Sequence, residues 1–177
     1  AGLGNCLIDR SRRNWCPSCR LAKCYRLNMR PEDDDELMRA VDLLRENPVL
    51  LVTSIDKHQS IIKDAISYVF LWIVSSDASM TKRRPRLSTS LAKLSLDTEE
   101  IRLGVSIILC SLGMRLPELS FASPLVTLYK FYLLRHSMLY GEAEQGQRAV
   151  EQIDTLFLLE SHKISHLLSR SINTLLD

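Results

Sequence analysis

The N-terminal segment CLIDRSRRNWCPSCRLAKC, residues 6–24, decides the fold of the first part of the chain. Cys6, Cys16 and Cys19 have the spacing C-x9-C-x2-C. Two thiolates that are two residues apart can both reach one tetrahedral Zn²⁺ ion. A closed structural zinc site needs four ligands, and Cys24 is near enough in sequence to be the fourth. The spacing therefore predicts a small zinc module that includes these cysteines.

The charge of the chain is divided unevenly between this head and the rest. Residues 1–30 hold seven Lys and Arg residues and one acid, Asp9, which gives a net charge of +6. The rest of the chain holds 16 of the 23 basic and 20 of the 21 acidic residues, which gives −4. The total of +2 by itself favours no class of partner, because it averages a basic head and a mildly acidic body.

Length and composition limit the class of protein. The 177 residues, 46% of them hydrophobic, fit one globular domain or one domain with a small module, and they exclude a low-complexity chain. Four of the five cysteines lie in the first 24 residues without a secretory signal, which favours metal ligation over disulfides. The longest apolar stretch, residues 65–74, is about half of what a membrane helix needs. We therefore expect an intracellular chain without a membrane segment.

From Leu37 onward the apolar residues recur with helical spacing and predict an all-α body. Residues 31–36, a proline followed by five acids, predict a solvated hinge, although their carboxylates also suit a helix start. Residues 75–96 predict a loop. The first predicted helix carries Leu37, Val41 and Leu44 on one face and ends at Pro48, and the second covers residues 54–74 with a stripe of Ile55, Ile62, Ile66, Val69 and Ile73. A third helix is predicted to start at a capping box of Asp97 and Glu100 and to end at Gly113. A fourth is predicted to start at Ser123 and Pro124 and to end at Gly141, and one or two more helices are predicted after Gly146.

The cysteine-rich head resembles the second zinc module of the nuclear receptor DNA-binding domain. That module reads C-x5-C-x9-C-x2-C followed by R-x-x-K-C, and residues 6–29 match it except that Asn28 replaces the usual glycine. The resemblance implies that the fourth zinc ligand lies one residue before Ala1 and that Cys24 is a packing residue. It also implies that the first zinc module and its base-reading recognition helix are missing. The implied protein is a zinc-dependent, sequence-specific DNA-binding transcription regulator in the nucleus, and not an enzyme.

The same resemblance assigns DNA-contacting residues in the head. Arg13 and Arg20 match family positions that contact the DNA backbone, Arg12 and Lys23 add positive charge, and Asn14 stands in the R-N element of the motif. Contacts of this kind position a protein on DNA without reading its sequence. Each of these arginines taken alone also fits a solvated surface charge.

The body resembles, more distantly, an incomplete nuclear receptor ligand-binding domain. The implied organisation is a partial DNA-binding domain at 1–30, an acidic hinge at 31–36 and a helical, ligand-binding-like domain at 37–177. Residues 94–100 and 129–140 match successive family segments, and residues 148–159 match the family's dimerisation helix, which implies a homodimer or a heterodimer with other receptors. The family's signature helix pair and terminal activation helix are not found, which argues against a small lipophilic ligand. The expected fold class is mostly α: a small treble-clef-like zinc module followed by an all-helical, ligand-binding-like domain.

Other candidate chemistry is sparse. Lys82, Arg83, Arg84 and Arg86 form a basic cluster that predicts either a nuclear import signal or a solvated loop. His162 and His166 have a metal-binding spacing but no third ligand in view, so we interpret them as helix-surface residues. Cys110 lies on an apolar helix face and is predicted to be core rather than a nucleophile. The alternative function is a truncated receptor that acts as a protein-interaction or dimerisation module without direct DNA readout.

Overall fold

The computed structural model describes residues 32–76, 94–141 and 143–158. The chain divides into two units, Ala1–Asp35 and Glu36–Asp177. The described residues form α-helices and one 3-10 helix and contain no strand. The prediction of a mostly α chain with a zinc module followed by a helical body is confirmed. The domain boundaries at 30 and 36 stay predictions.

The first two helices are separated by two residues, Glu46 and Asn47. Helix α1 spans Glu32–Arg45, so it begins within the stretch 31–36 that the sequence predicts as a hinge. Its predicted core stripe of Leu37, Val41 and Leu44 is buried. Pro48 follows the helix and opens the short helix α2, Pro48–Leu51, as its first residue. The Asn47 side chain caps α2 by accepting a hydrogen bond from the Val49 N–H at 3.0 Å.

Helix α3, Ile55–Ser76, is the longest helix in the part of the chain that the structure describes. Its residues from Ala65 to Ser75 are all buried, as expected for a helix with packing partners on every side. Four of the five residues of its predicted stripe are buried, but Ile55 is 85% exposed. The prediction for Ile55 is wrong because this residue begins the helix, one turn and more before the buried part starts at Ile61.

Helix α4, Thr98–Leu112, packs on α3 through a close approach. Trp72 of α3 is fully buried, and its indole Nε1–H donates a hydrogen bond to the Ile101 carbonyl at 3.1 Å. Gly104 faces that indole, and a Cβ at this position would overlap the ring. The predicted caps of α4 are confirmed, since Asp97 and Glu100 form a capping box and Gly113 ends the helix.

The start of the next helix differs from its prediction. Residues Pro117–Leu125 form a 3-10 helix that contains Pro124, and helix α5 spans Val126–Tyr140 with Leu125 at its N-cap position. Ser123 therefore does not cap α5, and Pro124 lies before the α-helix. Gly141 ends α5 as predicted.

Helix α6, Ala143–Leu158, returns along α5. Its buried residues include Ala149, Ile153 and Leu156. Gly146 lies inside this helix rather than before it. A Cβ there would come within 2.7 Å of the Ser137 side chain on α5. Glycine thus permits the two helices to approach closely at this point.

Candidate functional site

The side chains that the sequence predicts for metal, DNA and import all lie outside the described residues. They are Cys6, Cys16 and Cys19 for zinc; Arg12, Arg13, Asn14, Arg20 and Lys23 for DNA; and Lys82, Arg83, Arg84 and Arg86 for nuclear import. His162 and His166 also lie outside. These roles stay predictions.

A buried carboxylate, Glu100, joins three helices in the body. It is 2% exposed. Its Oε1 accepts a hydrogen bond from the Ser137 hydroxyl on α5 at 2.6 Å. Its Oε2 accepts from the backbone N–H of Asp97 and from the Gln145 side chain on α6, both at 3.0 Å. A buried carboxylate with several donors is a structural group, so Glu100 ties α4, α5 and α6 together rather than serving as an acid or base.

The cap residue Asp97 also carries a long-range contact. Its Oδ2 lies 2.8 Å from His136 Nε2 on α5, and its Oδ1 accepts from the Glu100 backbone N–H at 2.8 Å. Partial burial acts to raise the pKa of Asp97, but these hydrogen bonds and the nearby imidazole outweigh it. The pKa of Asp97 therefore lies below its usual value. Sequence reasoning found the cap but missed His136, since nothing in the local spacing connects residues 39 positions apart.

A half-open cleft of about 350 Å³ lies where α1 and α2 meet α4 and α5. At its base the Asn47 side-chain amide donates to Ser106 Oγ at 3.0 Å, and Ser106 donates to the Arg102 carbonyl at 3.2 Å. Tyr129 lines the cleft, and its burial raises the pKa of the phenol. The side chains that line this cleft are Leu43, Glu46, Asn47, Pro48, Glu99, Arg102, Leu103, Ser106 and Tyr129. This set contains no nucleophile paired with a base.

The described part of the body has no metal or nucleophile centre. Within residues 32–76, 94–141 and 143–158, no three His, Cys, Asp or Glu side chains are grouped so that they could hold a metal ion. Cys110 is fully buried, and desolvation raises the pKa of its thiol to about 11. The thiol is therefore protonated at neutral pH and is a core residue, as predicted. No helix in the described ranges is long and apolar enough to cross a bilayer.

Helix α5 exposes a second apolar face, which sequence reasoning missed. Leu128, Phe131, Tyr132 and Leu139 are 44%, 57%, 43% and 62% exposed, although all are large and hydrophobic. Their spacing places them on one side of the helix, opposite the buried Leu133 and Ser137. Both faces repeat with the same helical period, so the sequence signal could not tell which face is covered. We refer to Leu128, Phe131, Tyr132, Arg135 and Leu139 as the outer face of α5.

Comparison with known proteins identifies the head of the chain. Residues 2–31 match the family of the double treble clef zinc finger, C4 type. This is the zinc finger of nuclear receptor DNA-binding domains. The resemblance that residues 6–29 indicated is thereby confirmed, and the helical body after it is consistent with a ligand-binding-like domain. Neither the curated proteins nor the solved structures contain a match to the chain.

The family sets the general chemistry of this zinc finger. C4 zinc fingers of the nuclear receptor type bind zinc, belong to DNA-binding transcription regulators, and are in general nuclear and non-enzymatic. The match ends at residue 31, so it says nothing about the helices of the body.

Proposed function

We propose that the chain is part of a zinc-dependent, sequence-specific DNA-binding transcription regulator of the nuclear receptor type that acts in the nucleus. The observation that carries the proposal is the zinc finger match over residues 2–31. The basic head supports it, because its net charge of +6 suits the phosphate backbone of DNA. The mildly acidic body has no such excess of positive charge.

The donor chemistry of the head fits zinc. Cys6, Cys16 and Cys19 supply three thiolates, which are the ligands that structural zinc sites use. We assign the fourth ligand to a cysteine before Ala1, with Cys24 as the alternative that spacing allows. Zinc bound to these side chains would supply folding free energy to a module too small to fold on a hydrophobic core.

The head would hold DNA through its backbone. Arg13 and Arg20 are the proposed phosphate contacts, and Arg12, Asn14 and Lys23 complete the proposed surface. Each phosphate contact releases condensed counterions, so affinity should fall steeply as salt rises. Base reading belongs to a recognition helix in the family's first zinc module, whereas residues 2–31 resemble the second. We therefore expect residues 1–177 alone to bind DNA with little sequence preference, and sequence-specific binding to need that first module.

A gel-shift titration tests this proposal. The chain, and the same chain extended by the upstream sequence, are titrated onto a duplex with a receptor half-site at several salt concentrations. Arg13→Ala should weaken binding and reduce the slope of log affinity against log salt by about one. Arg148→Ala is the matched control, because it removes an exposed arginine from α6 in the helical body. A zinc-loaded, extended chain that gives no salt-sensitive shift would contradict the DNA-binding function.

A zinc titration tests the ligand assignment separately. Weak or substoichiometric binding by residues 1–177 is expected if the fourth ligand precedes Ala1. One-to-one binding that Cys24→Ser abolishes would instead make Cys24 the fourth ligand. Cys110→Ser is the control, because that thiol is buried in the helical body.

The second candidate function is a protein-interaction or dimerisation module without direct DNA readout. The outer face of α5 favours it, because a row of large apolar side chains facing water is typical of a surface that binds a partner. The partner would be a second receptor chain, in a homodimer or a heterodimer. A chain that gives no gel shift when extended, but associates in solution, would favour this function over the first.

The basic cluster Lys82, Arg83, Arg84 and Arg86 is the proposed nuclear import signal. Replacing all four residues by alanine should move a fluorescent fusion of the chain from the nucleus to the cytoplasm. A fusion that stays nuclear would assign import to another segment.

A further inference from the structure

The half-open cleft at the junction of α1 and α2 is a part of the body to which the proposed function gives no role. Two walls form it, and the residues of each wall have the spacing of one helix face. The end of α1 contributes Leu43, Glu46 and Asn47, and α4 contributes Glu99, Arg102, Leu103 and Ser106. None of these residues belongs to the zinc finger match over residues 2–31. The cleft is therefore a separate feature of the helical body.

A hydrogen bond joins the two walls at the floor of the cleft. The Asn47 side-chain amide donates one hydrogen to Ser106 Oγ at 3.0 Å, and both residues are buried. The Val49 N–H holds the Asn47 carbonyl oxygen, which fixes the orientation of the amide. The second hydrogen of this amide has no acceptor among the described residues. With the Tyr129 phenol beside Ser106, the floor therefore presents polar groups to a ligand.

The rim of the cleft carries charges of both signs that do not pair with each other. Glu46 on one wall and Glu99 and Arg102 on the other are exposed. Glu99 and Arg102 are three residues apart on α4, a spacing that allows an ion pair. None of these three side chains, however, forms an ion pair or a hydrogen bond within the described residues. The cleft therefore offers one guanidinium and two carboxylates to a ligand.

The remaining lining of the cleft is apolar. Leu43 and Leu103, one from each wall, are half-buried, so part of each side chain faces the cleft, and the Pro48 ring lies beside them. The volume of about 350 Å³ is at the lower end of the range of small-molecule sites, which is about 300–1,000 Å³. The cleft therefore suits a small molecule that has an apolar part as well as charged groups.

We propose that this cleft binds a small zwitterion with an apolar side chain, namely a free α-amino acid of the size of leucine or phenylalanine. The ligand carboxylate would face Arg102 and the unused Asn47 N–H, and the ligand ammonium group would face Glu46 and Glu99. The apolar side chain would cover the leucines of the two walls.

Charge complementarity favours this class of ligand over the others. A simple anion would be repelled by the two carboxylates of the rim, and a simple amine would leave the guanidinium and the floor amide without a partner. A neutral lipophilic ligand, the kind that the family resemblance suggests, would remove water from these charged groups without replacing their hydrogen bonds. A zwitterion is complementary to both signs at once.

An NMR titration of the full 177-residue chain with L-phenylalanine tests the proposal. At the efficiency typical of drug-sized ligands, about twelve non-hydrogen atoms give a dissociation constant on the order of 1 mM. The side-chain amide resonance of Asn47 should shift and reach saturation as the ligand is added. The side-chain amide resonance of Gln147 should not move, because this residue is exposed on α6 and does not line the cleft.

Two analogues and one variant test the charges. N-acetyl-L-phenylalanine lacks the ammonium group and L-phenylalaninamide lacks the carboxylate, so each should bind about fivefold more weakly than L-phenylalanine. Arg102→Gln should weaken L-phenylalanine about fivefold and leave the binding of L-phenylalaninamide unchanged, because only the first has a carboxylate. The helix should be retained, since Arg102 is exposed and glutamine is a comparable helix former. Arg148→Gln, which changes an exposed arginine on α6, is the matched control and should change neither affinity.

Three results would overturn the proposal. The first is the absence of a saturable shift of Asn47 at about 20 mM L-phenylalanine, well above the expected dissociation constant. The second is binding of either analogue as tight as that of L-phenylalanine, because the ligand would then not be recognised as a zwitterion. The third is an equal loss of affinity for L-phenylalanine and L-phenylalaninamide in Arg102→Gln, which would make the effect of this residue structural. No DNA is present, so the outcome is separate from that of the gel shift.

Discussion

The contact between Gly104 and Trp72 offers the sharpest test of how the body is packed. Gly104→Ala adds one methyl group that would overlap the indole, so the ring must move by about 1 Å or more to reach an ordinary contact distance. The indole is fully buried and donates a hydrogen bond to the Ile101 carbonyl, so it has no space into which it can move without losing that bond.

The magnitude follows from opposing contributions. Alanine in place of glycine inside a helix stabilises by about 1 kcal/mol. Overpacking a core costs about 1–3 kcal/mol, and a buried N–H that loses its partner costs about 1–3 kcal/mol more. The costs exceed the gain, so Gly104→Ala should lower the free energy of unfolding by about 2–3 kcal/mol.

Urea unfolding followed by circular dichroism at the helix band measures this change. A loss of about 2 kcal/mol should lower the midpoint by about 1 M urea. Gly141→Ala is the control, because a Cβ there comes no closer than 3.5 Å to another atom, and it should shift the free energy by less than about 0.5 kcal/mol. In a Trp72→Phe background the smaller ring should remove most of the cost of Gly104→Ala. An equal cost in both backgrounds, or none in either, would refute the packing argument.

Three further predictions concern buried and capping groups. Glu100→Ala should lower the free energy of unfolding by about 3 kcal/mol, because it removes the acceptor for Ser137 and Gln145 as well as the capping box. Glu100→Gln should lower it clearly less. If urea unfolding gave the same loss of free energy for both variants, the charge of Glu100 and not its hydrogen bonds would be what stabilises the fold. The pKa of Asp97 is lower in the folded chain than its unfolded value of about 3.8. The stability that the Asp97 carboxylate contributes is therefore present in full above the unfolded pKa and is lost as the pH falls through the folded pKa. The melting temperature of Asp97→Asn should thus depend less on pH below about 4 than that of the wild type. Cys110 should stay unmodified by iodoacetamide at pH 8 in the native chain and react in urea, as peptide mass spectrometry can show, because its buried thiol has a pKa of about 11; labelling in the native chain would contradict its burial.

Local chemistry explains which structural features the sequence could predict. The capping box of α4 depends on Asp97 and Glu100, which are three residues apart and contact each other in any helix that starts there. The buried stripe of α1 follows from the helical period alone. In each case the deciding contact lies within one or two turns of helix, so neighbouring residues suffice to predict it.

Features that depend on packing could not be predicted in this way. Ile55 fits the helical stripe of α3 but lies at its exposed first turn. Ser123 and Pro124 look like a helix start, yet the chain uses them in a 3-10 helix before α5. Both errors have one physical cause. A local pattern indicates which secondary structure a segment can form, whereas residues distant in sequence decide where the helix begins and which part of it is buried.

The sequence by itself determined the zinc finger, since ligand chemistry and spacing over residues 6–24 specify it and the family match over residues 2–31 agrees. It also determined that the body is helical. Only the tertiary structure decided that Glu100 joins α4 to α5 and α6, since its partners lie 37 and 45 residues away. Only the tertiary structure showed that one of the two apolar faces of α5 is left in solvent. Periodicity states that a face is apolar, but burial depends on which helices pack against it.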